Sequence, residues 1–216
     1  MELIHFFLDV VLHLDRHLVE LLAQYGNWIH LILFLVIFAE TGLVVTPFLP
    51  GDSLLFALGA LAAIDTTGTL TASGLWFELS IAAILGNTTN YFIGRFIGDK
   101  AFSGKYRLIN VEYLRRTEGW FERHGPATIV LSRFAPIVRT FAPFVAGVGH
   151  MPRTRFIGYT VIGGLTWVGL FIWGGYLFGN LPVIRNHFGL VTIGIILVSM
   201  LPMVVMWWQD RAARKA

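Results

Sequence analysis

Cysteine is absent from the 216 residues, which excludes disulfides, thiolate metal sites and cysteine nucleophiles. Charge is also scarce, because only 13% of the residues are Asp, Glu, Lys or Arg, about half the share that is usual in soluble domains. Hydrophobic residues make up 56% of the chain, and the mean hydropathy is +0.69. A composition so poor in charge and so rich in apolar residues indicates a membrane protein.

Common catalytic motifs are missing as well. The chain has no HExxH, GxSxG or GxxxxGK[ST], so metalloprotease, hydrolase and P-loop activities have no support. The seven histidines show no ligand spacing, and we expect no metal, no cofactor and no enzymatic activity. Residues 1–27 lack the basic region and cleavage site of a signal peptide, and their polar residues recur at helical spacing. They therefore predict an amphipathic helix at the membrane interface.

Long apolar stretches predict the membrane-spanning helices, each of which needs about 20 residues. Four stretches qualify: Trp28–Thr46, Leu75–Ile97, Phe156–Gly179 and Phe188–Trp208. Two further apolar segments, at about 47–64 and 127–149, contain residues that interrupt helices: Pro47, Pro50, Gly51, Pro136, Pro143 and Gly147. Interrupted backbone at membrane depth needs cover from protein or a wet cavity, so we predict two re-entrant hairpins.

The predicted fold is therefore an all-α membrane protein with about four transmembrane helices and two oppositely oriented re-entrant hairpins. It forms one domain over residues 28–208, followed by a basic tail at 209–216. Twelve of the 16 Lys and Arg fall in segments 1–27, 98–126, 149–155 and 209–216, which predicts that both termini are cytoplasmic. The loops at 65–74 and 180–187 are then outside.

Opposed hairpins in two halves of a chain are typical of transporters with a site at the bilayer midplane. The segments PFLPG (47–51) and PFVAG (143–147) resemble each other and support such a repeat. Two unrelated kinks that ease packing are the plainer alternative.

Four charged residues remain inside apolar segments: Glu40, Asp52, Arg133 and Arg139. One unpaired charge at a helix centre costs about 2.5–3.5 kcal/mol, so we predict a shared polar pocket in which the acids face the arginines. There the guanidinium groups hold a phosphate or carboxylate, and the two acids exchange protons. Plainer alternatives exist for two of them, with Asp52 as a helix N-cap and Arg133 reaching the interface.

The segments ETGLVVTPFLPGDSLL (40–55) and SRFAPIVRTFAPFVAG (132–147) resemble the two signature segments of the DedA family of membrane proteins. GNTTNYFIGR (86–95) resembles its third. The resemblance implies a bacterial inner-membrane protein with paired re-entrant loops, from a superfamily that includes eukaryotic lipid scramblases. By position, the family's essential acids fall on Glu40 and Asp52, and its essential arginines fall on Arg133 and Arg139.

The resemblance also implies a function, namely movement of a phospholipid or a polyprenyl-phosphate carrier such as undecaprenyl phosphate between leaflets, coupled to protons. The expected partners are membrane lipids or lipid-linked phosphates and protons, with no nucleic acid. Many relatives carry an acid where this chain has Asn87, and Arg95 is a weaker candidate for lipid-phosphate contact. A proton-coupled antiporter for small cations or drugs, and a non-transporting assembly factor, remain alternatives. Glycines in GRFIG (94–98) and GYLFG (175–179) predict either internal helix packing or a homodimer contact.

Overall fold

The structure, a computed structural model, describes residues 14–43, 51–102, 129–130, 132–134, 136–182, 184, 189–191 and 193–195. All regular structure in these ranges is helical. The α-helices are α1 (Leu14–Tyr25), α2 (Trp28–Gly42), α3 (Gly51–Ala62), α4 (Ala72–Phe102), α5 (Pro136–Val148) and α6 (Arg153–Phe178), and a 3-10 turn spans Ser132–Phe134. Pro47, Pro50 and the basic tail lie outside the described residues. So does most of the predicted C-terminal span, Phe188–Trp208.

The chain divides into two compact units. Unit 1 comprises Met1–Leu35, Leu49–Leu79 and Thr166–Ala216, and unit 2 comprises Val36–Phe48 and Ser80–Leu165. Helices α2, α4 and α6 contribute residues to both units, whereas α3 belongs to unit 1 and α5 belongs to unit 2.

In unit 1, α3 packs closely against α6 through glycines. A Cβ atom on Gly59 of α3 would overlap the carbonyl oxygen of Ile172, and one on Gly175 of α6 would overlap the carbonyl oxygen of Phe56. Each glycine therefore faces the residue three positions before the other glycine. Small residues at such a crossing let two backbones approach within contact distance, which is a common way for helices to pack in membranes.

Unit 2 repeats this arrangement with α5 and α4. A Cβ atom on Gly147 of α5 would overlap the carbonyl oxygen of Tyr91, and one on Gly94 of α4 would overlap the carbonyl oxygen of Phe144. The three-residue offset is the same as in unit 1. Nearby, the ring of Tyr91 stacks on Phe156 with centroids 4.3 Å apart, at the centre of the apolar core of this unit.

The glycine contacts correct the register of the predicted repeat. They align FALG (56–59) with FVAG (144–147), whereas the sequence comparison aligned PFLPG (47–51) with PFVAG (143–147). They also show that Gly94 and Gly175 are used in internal packing, one of the two alternatives that the sequence left open.

Pro143 does not interrupt a helix, as the sequence predicted that it would. It lies inside α5, which continues for five residues to Val148. A proline removes one hydrogen bond of the helix, and the tight packing of α5 against α4 holds the rest of the helix together.

Helix lengths differ from the predicted spans. α6 has 26 residues and is the one helix among the described residues that is both long and apolar enough to cross a membrane. α4 has 31 residues, about 46 Å, but carries more polar side chains. α2 ends at Gly42 after 15 residues, about 22 Å, which is less than the roughly 30 Å of a hydrocarbon core.

The start of α2 lies beside the start of α4 in unit 1. His30 forms hydrogen bonds to the carbonyl oxygen of Thr69, at 3.0 Å, and to Glu78, at 2.6 Å. Residues 26–30 and the 65–74 loop therefore lie at the same end of this unit. The sequence placed residues 1–27 and 65–74 on opposite sides of the membrane, and this contact contradicts that placement, because a bilayer core of roughly 30 Å cannot separate them.

Large apolar side chains are exposed on the long helices. Phe77 and Phe96 of α4, and Leu170 and Leu177 of α6, are each more than half exposed. A water-soluble monomer rarely exposes extended apolar surface of this kind, whereas lipid-facing helices do. The exposed side chains therefore agree with the membrane protein that the composition predicts.

Candidate functional site

All four predicted charged residues are buried in the structure. Glu40, Asp52, Arg133 and Arg139 have relative exposures of 1%, 6%, 2% and 3%, respectively. They are the buried Asp, Glu, Lys and Arg side chains among the described residues. Charged groups are almost never this buried unless they are paired, so their partners decide what each one can do.

Glu40 and Arg139 form a buried ion pair in unit 2. Nη2 of Arg139 donates to Oε1 of Glu40 at 2.5 Å. Glu40 lies two residues before the end of α2, and Arg139 lies in the first turn of α5, so the pair joins the two helices. A charge-assisted contact of this kind in a dry setting is among the strongest hydrogen bonds in proteins.

Asn90 of α4 supports this ion pair through the backbone. Its Nδ2 donates to the carbonyl oxygen of Thr140 at 2.8 Å and to that of Thr41 at 3.4 Å. These two threonines directly follow Arg139 and Glu40 in the chain. The side-chain amide of Asn90 therefore connects the main chain of α2, next to Glu40, with the main chain of α5, next to Arg139.

Arg133 occupies a different position in unit 2. Its side chain extends from the 3-10 turn to α6, where Nη2 donates to the carbonyl oxygen of Thr160 at 2.9 Å. Nε and Nη1 have no hydrogen-bond partner in the part of the chain that the structure describes. The alternative in which the Arg133 side chain reaches the interface is wrong, because only 2% of the residue is exposed.

Asp52 belongs to unit 1, where its partner is an aromatic side chain. Nε1 of Trp167, which is fully buried, donates to Oδ1 of Asp52 at 2.9 Å. Asp52 is the second residue of α3, so it lies within the first turn and complements the positive end of the helix dipole. A single pocket shared by all four charges stays a prediction.

The weaker candidates also have defined surroundings. Asn87 is buried, and its Oδ1 has no hydrogen-bond partner within the described ranges. Nη1 of Arg95 donates to the hydroxyl oxygen of Tyr91 at 3.0 Å, and that hydroxyl donates to the carbonyl oxygen of Met151 at 2.5 Å. Tyr91 therefore connects α4 to the segment that precedes α6, and Arg95 donates to the same hydroxyl oxygen from one turn further along α4.

Sequence reasoning missed several of these partners. Trp167, Thr160 and Asn90 contact the charged residues but carry no charge themselves, so the cost of burying charge did not point to them. Asn90 did lie inside the third motif, and two consecutive glycines, Gly163 and Gly164, follow Thr160 on the same helix. A polar or small residue repeated on the face of a long apolar helix is the signal that would have drawn attention to them.

Comparisons with known proteins agree with these motifs. Residues 49–177 match the VTT domain family. The chain is 52% identical over 206 residues to Protein DedA of Escherichia coli (strain K12), covering 95% of this chain and 94% of that protein.

Two more distant relatives are named as membrane proteins. An uncharacterized membrane protein of Mycobacterium leprae (strain TN) is 39% identical over 83% of this chain and 82% of its own. Inner membrane protein YghB of E. coli (strain K12) is 33% identical over 80% of this chain and 75% of its own. No solved structure matches.

Proposed function

Because the chain belongs to the DedA family of VTT-domain membrane proteins, we propose that it moves an anionic lipid between the leaflets of the bacterial inner membrane. The cargo is a phospholipid or a polyprenyl phosphate such as undecaprenyl phosphate, and the movement is coupled to protons. The observation that carries this proposal is the buried Glu40–Arg139 ion pair, with a second buried guanidinium, that of Arg133, in the same unit.

The charge balance of unit 2 favours an anionic cargo. Its buried charged side chains, among the described residues, are one acid and two arginines. Burying an excess positive charge is costly, and an anion that enters the unit removes that cost. A cation would add to it, so this balance supports the lipid carrier over the antiporter.

The ion pair also suggests how protons enter the cycle. Protonation of Glu40 removes its charge and weakens its hold on Arg139, which then has donors for a phosphate group. An anion that binds Arg139 competes in turn with the carboxylate, and Glu40 takes up a proton more readily. Proton uptake and anion binding thereby favour each other, as linkage requires.

Asp52 supplies a second acid in unit 1. The Trp167 indole donates to its carboxylate and fixes the orientation of Oδ1. In the proposed cycle Asp52 receives or releases the transported proton. Trp167 has no acidic proton to exchange at physiological pH, so its role is to position the acid.

The proposal includes a revised orientation. Residues 26–30 share an end of unit 1 with the 65–74 loop, so we place both outside, and the segment at 98–126 in the cytoplasm. Eleven of the 16 Lys and Arg then remain on the cytoplasmic side, which keeps the positive-inside bias. The short helices α2 and α3 together form the first re-entrant hairpin, which enters from outside.

The chain has no cysteine, so single-cysteine labelling tests this orientation directly. In spheroplasts, Asn27→Cys and Thr66→Cys should react with an impermeant maleimide, whereas Glu112→Cys should react only after permeabilisation. Labelling of Asn27→Cys and Thr66→Cys from opposite sides would overturn the orientation.

Leaflet exchange in proteoliposomes tests the function. Labelled undecaprenyl phosphate and labelled phosphatidylethanolamine are compared with and without a pH gradient. We expect exchange of one of these lipids by the wild type, loss of that exchange in Arg139→Ala and loss of the gradient's effect in Glu40→Gln. Arg155→Ala is the matched control, since this arginine is exposed, and it should exchange lipid normally.

If neither lipid is exchanged by protein that is folded and correctly oriented, lipid movement is wrong. Proton-driven uptake of a small cation under the same conditions would then support the antiporter.

A further inference from the structure

Gly163 of α6 makes room for the side chain of Arg133, and Gly164 lies at ordinary contact distance from its guanidinium group. A Cβ atom on Gly163 would lie 2.8 Å from both Cδ and Nε of Arg133, and one on Gly164 would lie 3.6 Å from its Nη1. At 2.8 Å an added methyl group cannot be accommodated without a shift. The arginine stem and the guanidinium group therefore lie directly on the backbone of α6.

The polar contacts leave part of this guanidinium unused. Nη2 is bonded to the carbonyl oxygen of Thr160, one turn before Gly163 and Gly164, whereas Nε and Nη1 have no acceptor among the described residues. The residue is only 2% exposed. A charged group with unused donors in a buried site is costly, and the cost disappears when an acceptor of opposite charge binds.

The neighbouring acid of the unit is already engaged. Glu40 forms its ion pair with Arg139, and the remaining buried charge of unit 2, within the described ranges, is that of Arg133. The unit thus carries one buried positive charge in excess. An oxyanion is the chemical group that supplies both the negative charge and the acceptor oxygens.

We propose that Gly163 is a positioning residue that seats Arg133 on α6, so that its Nε and Nη1 bind one oxyanion of the phosphate or carboxylate class. This inference rests on the proposed function, because the oxyanion is the headgroup of the cargo. The two arginines then have different roles. Arg133 binds the anion in the resting state, and Arg139 stays paired with Glu40 until that acid is protonated.

Binding to the purified full-length protein in detergent tests the inference. The probes are inorganic phosphate and dioctanoyl phosphatidic acid, measured by calorimetry. We expect Gly163→Ala to weaken binding by about tenfold or more, because one charge-assisted hydrogen bond is displaced. Gly164→Ala should have a smaller effect, since its Cβ would be at 3.6 Å from the guanidinium.

Gly158→Ala is the matched control. It lies on the same helix, and a Cβ atom there would meet nothing within 4 Å. Binding by this variant should stay within about twofold of the wild type. Unchanged binding by Gly163→Ala would overturn the positioning role, and lipid exchange by the wild type would still support the proposed function.

A double variant separates positioning from general loss of folding. In the Arg133→Lys background there is no guanidinium to seat, so adding Gly163→Ala should weaken binding little further. Equal losses in both backgrounds would mean that Gly163 acts on the fold and would overturn the inference. Tighter binding of phosphatidic acid than of inorganic phosphate identifies a lipid headgroup as the source of the oxyanion, and equal binding identifies free phosphate. Binding of neither probe overturns the oxyanion site.

Discussion

The Glu40–Arg139 ion pair is the contact whose energy can be worked out most directly. The two side chains are 1% and 3% exposed, and their charged atoms are 2.5 Å apart. Removing one partner leaves the other charge buried without its counter-ion, which in proteins typically costs 3–5 kcal/mol. We therefore expect Arg139→Met to lower the free energy of unfolding by about 3–5 kcal/mol, and Glu40→Met to have a similar effect.

Replacing both partners should be much less harmful. Methionine has an unbranched side chain like Glu and Arg but carries no charge, so the double variant avoids desolvating any ion. Replacing a buried ion pair by apolar side chains of similar size is often neutral or even stabilising. The two single losses would add to about 6–10 kcal/mol, so a double variant that loses little means a coupling energy well above about 3 kcal/mol. The double variant should still fail to exchange lipid, because it lacks both the carboxylate that takes up the proton and the guanidinium group that binds the anion.

The half-buried pair of His30 and Glu78 provides an internal comparison. Its atoms are 2.6 Å apart, almost the same distance, but the two side chains are 33% and 24% exposed. Solvent screens such a pair, so its coupling energy should be no more than about 1 kcal/mol. The cycles are measured by denaturant unfolding in detergent, followed by tryptophan fluorescence. Additive losses within about 0.5 kcal/mol at Glu40 and Arg139 would refute the reasoning from burial.

Three further changes test other contacts. Trp167→Phe removes the indole donor to Asp52 and should lower the free energy of unfolding by about 1–3 kcal/mol, measured by thermal unfolding. An equal loss in the Asp52→Leu background, which has no acceptor for the indole, would contradict this explanation. Gly147→Ala forces α5 away from α4 and should destabilise the protein by about 1–3 kcal/mol, whereas Gly158→Ala, in open space, should not; equal melting temperatures would show that the crossing is not tight. Hydrogen bonds from Thr67 and Leu70 lower the pKa of Asp65 below its ordinary 3.8, so Asp65→Asn should be less stable than the wild type at neutral pH. The difference in stability should vanish as the pH falls through the folded-state pKa of Asp65. A difference that persists in strong acid would exclude this origin.

Much of the candidate site could be predicted because burying charge in an apolar segment is costly. Glu40, Asp52, Arg133 and Arg139 were identified on that basis alone, and all four are buried. Their pairing was not predictable in the same way. Which acid meets which arginine depends on how the helices pack, and Trp167 became a partner of Asp52 although 115 residues separate them in the chain.

The errors in the fold have local physical causes. Pro143 was expected to break a helix, but one missing hydrogen bond costs less than the packing of α5 around Gly147 and Ala146 contributes. α2 was predicted to cross the membrane because apolar residues continue past Thr41, yet the helix ends at Gly42. Composition reports where a segment is apolar, and it does not report where the backbone leaves the helix.

Helix α3 in unit 1 and helix α5 in unit 2 have their polar and glycine contacts in the same order along the helix. Each has a charged side chain in its first turn, Asp52 or Arg139, that bonds to another helix. Seven or eight residues later, each has a glycine, Gly59 or Gly147, at a close backbone crossing. The polar contact involves an ionisable side chain, whereas the glycine crossing involves backbone atoms only. We therefore expect a change of charge at the start of either helix to weaken the polar contact there and to leave the glycine crossing of the same helix unchanged.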